Sequence, residues 1–342
     1  MTAYAFWNNK GGVGKSFLSF VAATEYARTY PDTDVYVIDL CPQANISETL
    51  LVHPDVIHKL IGQTPRATVA GYLEARLNSP FRPLKDVSSY VCRPRDFNAK
   101  LPVNLLLVCG DNLLEILSGA IRQTSQFTLP EDAWKQVLSW IKDLTVALRQ
   151  RSGNRDMIFI IDCNPSFAIY TQLALAAAEN VVVPFTSDDG SRRAVENVIA
   201  LLYGNGMGNP KMETYAQLNF AKRAKEEGLA IPKLHTFVSN RIIFYEDKAS
   251  KTFEGVSVSI KKILDDLHKK HRQVYATPSA LPSERFVEIP DYHSACVMMT
   301  TTGIPSYHLQ PGRNKFRGRQ VQLEPEALRQ FQDALANFVA YL

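Results

Sequence analysis

Lys10-Gly11-Gly12-Val13-Gly14-Lys15-Ser16 is the segment that most constrains the fold, because of what flanks it. The apolar run Ala3–Trp7 before it reads as a strand, and Ser16–Tyr30 after it reads as a helix. Strand, glycine loop and helix in that order make a phosphate-binding loop. Without Cβ atoms, Gly11, Gly12 and Gly14 let backbone N–H groups turn inward onto phosphate oxygens. The new helix adds the positive end of its dipole. Lys15 is expected to neutralise the β- and γ-phosphates and the Ser16 hydroxyl to ligate Mg²⁺. The loop from Lys10 through Phe17 is therefore the candidate ATP site. The competing reading is a glycine turn that happens to carry lysines.

The 342 residues fit one large α/β domain or two smaller ones, and 46% hydrophobic content supports a sizeable core. With a net charge of only +4, nucleic-acid affinity would have to come from clustered charge. The cysteines at 41, 92, 109, 163 and 296 are odd in number and lack metal-ligand spacing, which suits a reducing compartment. The phosphate loop stands where a signal peptide would sit, and no apolar run is long enough to span a bilayer. A cytoplasmic protein is expected, nucleoid-associated if it binds DNA.

Apolar strand-like runs alternate with helical stretches, which predicts a doubly wound, mostly parallel sheet with helices on both faces. Strands are expected at Ala3–Trp7, Val35–Asp39, Leu105–Val108, Met157–Asp162, Asn180–Pro184 and Leu234–Ser239. Helices are expected at Ser16–Tyr30, Ala133–Arg149, Tyr170–Ala178, Ser191–Leu202, Glu213–Glu227, Ser257–Lys270 and Pro325–Tyr341. One domain over 1–342 is the expectation, with insertions near 52–100 and 203–230. The last helix has an apolar face at Leu328, Phe331, Leu335, Phe338 and Leu342. Its other face is acidic rather than basic, so it should dock on the core and not on a membrane.

Two apolar strands end in acids at their carboxyl tips, where ligand groups collect in open α/β sheets. Asp162 is expected to hold Mg²⁺ through water, and Asp39 to orient or deprotonate the attacking water. Ser16, Asp39 and Asp162 are thus the candidate metal set, and Lys15 and Asp39 candidate catalytic residues. Either acid could instead be a strand-end turn residue. Cys41 and Cys163 follow these acids; they read as small buried hydrophobes or as a redox pair.

The loop, Asp39-Leu40-Cys41-Pro42-Gln43-Ala44-Asn45 and Ile161-Asp162-Cys163-Asn164-Pro165-Ser166 together resemble the ParA/MinD ATPases, whose phosphate loop carries an extra signature lysine. Weaker matches run through Val181–Pro184, Thr236–Arg241, Glu288–Asp291 and Thr302–Pro305. The resemblance implies that Asn240, Pro290 and Asp291 contact adenine. It also adds Lys10 to the candidate catalytic residues, implying that Lys10 reaches across a twofold interface to the partner's ATP, giving a homodimer on ATP. Two departures bear on the switch: Cys41 stands where partition ATPases usually have a second aspartate, and Ala44 replaces a usual glycine.

No acidic residue occurs from Tyr292 to Leu323, and that stretch carries Arg313, Lys315, Arg317 and Arg319 around Phe316. Such a cluster suits contacts to the DNA backbone, with Lys261, Lys262, Lys269, Lys270 and Arg272 expected on a neighbouring helix. A solvated basic face is the alternative. The sequence reading is a ParA-like ATPase that binds DNA non-specifically, hydrolyses ATP slowly under an adaptor protein, and partitions or positions a cargo. A nucleotide-dependent regulator or assembly factor acting on a protein partner in a secretion, cellulose or defence module, and a MinD-like membrane-cycling protein, are the rivals.

Overall fold

The computed structural model describes residues 2–186, 188–204, 220–242, 244–245, 248–249, 251–316 and 318–342. Its centre is a parallel sheet of β1 (Thr2–Phe6), β2 (Thr33–Leu40), β3 (Leu105–Val108), β4 (Asp156–Cys163), β5 (Asn180–Thr186), β6 (Lys233–Ile242) and β9 (Phe286–Pro290). Their order across the sheet is β3-β2-β4-β1-β5-β6-β9. Two short antiparallel pairs lie outside it: β7 (Phe244–Tyr245) with β8 (Lys248–Ala249), and β10 (Gly312–Phe316) with β11 (Arg319–Leu323).

The sheet strands are apolar in both alternating sets because both faces are covered. On β4, Ile158 and Ile160 join one core layer while Phe159 and Ile161 join the other. The first layer holds α1 (Lys15–Thr29), α2 (Asn45–Leu51), α3 (Pro54–Ile61), α12 (His293–Thr302) and α13 (Pro325–Val339). The second holds α4 (Val69–Asn78), α5 (Leu113–Thr124), α6 (Ala133–Leu138), α7 (Trp140–Arg151), α8 (Ile169–Ala177), α9 (Asp189–Tyr203), α10 (Phe220–Glu226) and α11 (Lys251–Lys270). The helix leaving β1 thus covers one face, and the helix leaving β4 covers the other. The crevice at the carboxyl ends of β1 and β4 is where such a sheet binds ligands.

Several expectations are revised. The single helix Ala133–Arg149 is two, α6 and α7, separated at Ser139. The helix Glu213–Glu227 is described only from Phe220; residues 205–219 lie outside the described residues. The segment 52–100 contributes helices to both layers, through Val56, Ile57 and Leu60 on one face and Val69, Tyr72 and Leu73 on the other. On α13, Leu328, Phe331, Leu335 and Phe338 are buried against the first layer, with Phe338 edge-on to Phe6 at 6.2 Å. Among the described residues no helix is long and apolar enough to cross a membrane.

Candidate functional site

Sheet register brings the sequence motifs to one edge. Phe6, Asp39 and Asp162 are level across β1, β2 and β4, while Asn240 is level with Thr186 and Pro290 with Ile242. The loop leaving β1 adopts left-handed backbone at Gly12 (φ 74°) and at Gly14 (φ 90°), which caps α1. A Cβ on Gly14 would lie 2.1 Å from the Asn240 amide nitrogen, so only glycine fits there.

Lys15 is buried and curls over the loop, its ammonium donating to the carbonyls of Asn8 at 3.2 Å and Lys10 at 2.9 Å. Burial pushes its pKa down, against the pull of Asp162, Cys163 and Cys41. The Ser16 hydroxyl donates to Asp162 Oδ2 at 2.6 Å and the Ser19 hydroxyl to Oδ1 at 3.2 Å. Asp162 is fully buried, and this desolvation pushes its pKa up to about 6. Hydroxyl and carboxylate oxygens side by side are the hard donor set that Mg²⁺ takes. A cavity of about 450 Å³ opens beside Ser16 and Phe17, bounded by Asn45, Glu48 and Thr300.

Asp39 is also fully enclosed, and both its oxygens are engaged. The Cys41 amide donates to Oδ1 at 3.0 Å; the Ser47 hydroxyl and amide donate to Oδ2 at 2.7 and 3.2 Å. Burial, and then the Asp162 charge, raise its pKa to about 7. Burial likewise pushes the Cys41 thiol up to about 12. Cys41 and Cys163 are buried free thiols.

Lys10 does not project outward from the loop. Its ammonium forms an ion pair with Asp188 and reaches the hydroxyls of Thr186 at 3.2 Å and Ser191 at 3.3 Å. Asp188 also caps α9, accepting from the Gly190 amide at 3.0 Å. Neither Asp188 nor Ser47 was singled out from the sequence. The usable signals were the helix starts they occupy, Asp188-Asp189-Gly190 after β5 and Asn45-Ile46-Ser47-Glu48 after β2.

The adenine expectation at Asn240 meets a different contact. Asn240 is 2% exposed, and its amide donates to the Val13 carbonyl at 3.1 Å, bracing the phosphate loop. Pro290 is half-buried and Asp291 exposed at the end of β9. Tyr292, the next residue, packs on Phe331 at 5.8 Å, and its hydroxyl accepts from the Glu324 amide at 2.8 Å.

The basic stretch is a β-ribbon, not a flexible loop. Arg313 and Lys315 are exposed and oppose Gln322 and Gln320 across β10 and β11; Arg317 lies outside the described residues. Arg319 pairs with Phe316 at the turn. The lysines of α11 do not neighbour this ribbon. Ile260 and Leu264 of α11 belong to one core layer and Leu323 of β11 to the other, so the two basic clusters sit on opposite faces of the sheet.

No family model and no curated protein matches the chain. Solved structures do. An ATP complex of a McdA variant from Cyanothece has a TM-score of 0.61 at 14% identity, over 98% of this chain and 95% of that one. pNOB8 ParA gives 0.62 at 13%, over 99% and 96%. A Borrelia burgdorferi plasmid partition protein bound to AMPPNP gives 0.52 at 14%, over 100% and 99%. The chain has the fold of the ParA/MinD-type phosphate-loop ATPases.

Proposed function

We propose that the protein is a nucleotide-switch ATPase that binds ATP with Mg²⁺, dimerises on ATP, hydrolyses it slowly and positions or partitions a cargo. The contact that carries this reading is Ser16 Oγ to Asp162 Oδ2, 2.6 Å apart at the mouth of a loop over which Lys15 is already folded. Ser16 and Asp162 would hold Mg²⁺, which when bound neutralises charge on the phosphates. The backbone N–H groups of Gly11 to Phe17 would receive phosphate oxygens. Lys15 would exchange two loop carbonyls for the β- and γ-phosphates, a stronger, charge-assisted contact. Asn240 would keep the loop in its receiving shape, and Pro290 and Asp291 would line the nucleoside side.

In this reading Lys10 has two partners. In one protomer alone it pairs with Asp188; in the ATP dimer it would swing to the other protomer's phosphates. Nucleotide-bound McdA and partition proteins of the same fold support the ATP and positioning parts of the reading. Non-specific DNA is the proposed second ligand, held by Arg313, Lys315, Arg317 and Arg319, and an adaptor protein the proposed stimulator. The buried apolar face of α13 speaks against the membrane-cycling alternative. Light scattering with and without Mg·ATP, followed by gel shifts on unrelated DNA sequences, tests the reading. A chain that stays monomeric with ATP would refute the dimer. A dimer that ignores DNA at low salt would leave the protein-partner reading in its place.

A further inference from the structure

We propose that Asp39 is a structural pin and that Cys41, just past the end of β2, offers only a thiol at this edge, so the chain turns ATP over without a water-orienting carboxylate of its own. The inference rests on the ATP reading above. Hydrolysis joins a water oxygen to the γ-phosphorus, breaks the bond to the β–γ bridging oxygen and sends one water proton to a base. ADP and phosphate leave. A residue that speeds this step must present a free acceptor to that water.

Four carboxylates at this edge are committed elsewhere. Asp39 is 0% exposed and holds α2 to β2 through three hydrogen bonds from Cys41 and Ser47. Ser47 in turn accepts from the Gly110 amide at 2.8 Å, tying the carboxyl end of β3 to the same pin. A Cβ on Gly110 would fall 2.7 Å from Asp39, so the carboxylate is packed closely on that side as well. Asp162 serves Ser16 and Ser19, Asp111 serves Arg66 and Thr68, and Asp188 serves Lys10.

Cys41 is the second residue after Asp39 and stands one residue past the end of β2, where it is buried. Cys41 Sγ receives the Asn164 amide at 3.7 Å, which places the thiol at the carboxyl ends of β2 and β4, with Asn164 two residues past Asp162. A thiol is a weak hydrogen-bond acceptor. Glu48 is exposed and lines the cavity beside Ser16, so the test includes it.

Calorimetric ATP affinity, single-turnover hydrolysis and melting temperature are measured for the wild type and four variants. Cys41→Asp should hydrolyse ATP about 10²-fold faster, the scale of a positioned general base, with ATP affinity within about threefold. Cys41→Ser should match the wild-type rate. Asp39→Asn should lose about 5 °C in Tm, by setting its NH₂ group against the Cys41 N–H or the Ser47 N–H, yet hydrolyse within about threefold of wild type. Glu48→Gln should also stay within about threefold, since no base is being removed. A roughly 10²-fold loss in Asp39→Asn at unchanged Tm, or the same loss in Glu48→Gln, overturns the inference. So does a Cys41→Asp protein that binds ATP normally and is no faster, or a tenfold loss in Cys41→Ser. Wild type that binds no ATP overturns the ATP reading itself, a result distinct from all of these.

Discussion

Residues 44 and 162 show how single side chains set the behaviour of the site. Ala44 caps α2 in left-handed backbone, φ 52° and ψ 30°, a conformation costly for any residue with a Cβ. Ala44→Gly should therefore stabilise the fold by about 0.5–1 kcal/mol, after the greater unfolded-state entropy of glycine is subtracted. A denaturant melt showing a loss of stability would contradict that strain. Asp162 carries a pKa raised to about 6 by burial. Metal binding needs the carboxylate, so protonation competes with Mg²⁺, and Mg·ATP affinity should weaken as pH falls through about 6. Calorimetry in buffers of different ionisation enthalpy should show proton release on binding near that pH, and no net release would remove Asp162 from the metal site. The acids at 39 and 162 were legible in the sequence as strand tips. Their different surroundings were not, because what separates them is Ser47 and Gly110, brought to Asp39 from α2 and from the end of β3.

At the scale of elements, strand positions were the most legible feature, since runs such as Met157–Asp162 must be buried on both faces. Short helices were harder. α2, α3 and α12 are brief, and each is held by packing on the first layer more than by its own periodicity. The basic ribbon was seen as charge and missed as structure, because its pairing depends on Leu323 anchoring β11 in the core. Its geometry sharpens the DNA prediction. Replacing Arg313, Lys315, Arg317 and Arg319 with glutamine should remove up to four phosphate contacts and flatten a log–log salt slope of about −3.6. Titrations at several salt concentrations that leave the slope unchanged would shift attention to α11, on the opposite face of the sheet. Tyr292 links the end of β11 to the carboxyl edge of the sheet, so ATP affinity is measured on the same variant.

At the scale of the whole molecule, the proposed switch would have its parts already assembled and held by internal substitutes for nucleotide. Lys15 rests on carbonyls, Ser16 on Asp162 and Lys10 on Asp188. Freeing Lys10 should favour the dimer: Asp188→Asn should tighten ATP-dependent association by about two- to fivefold, as expected for a solvent-exposed ion pair. Lys10→Ala should abolish association while monomeric ATP binding persists, and sedimentation of both variants would show either effect missing. All of this depends on the loop being a nucleotide site. Calorimetric titration of Mg·ATP into wild type and Lys15→Ala tests that most directly. Removing one charge-assisted phosphate contact should cost about 2–4 kcal/mol, so the variant should bind about 30- to 1000-fold more weakly or not detectably. Equal affinity in the two proteins would contradict the account.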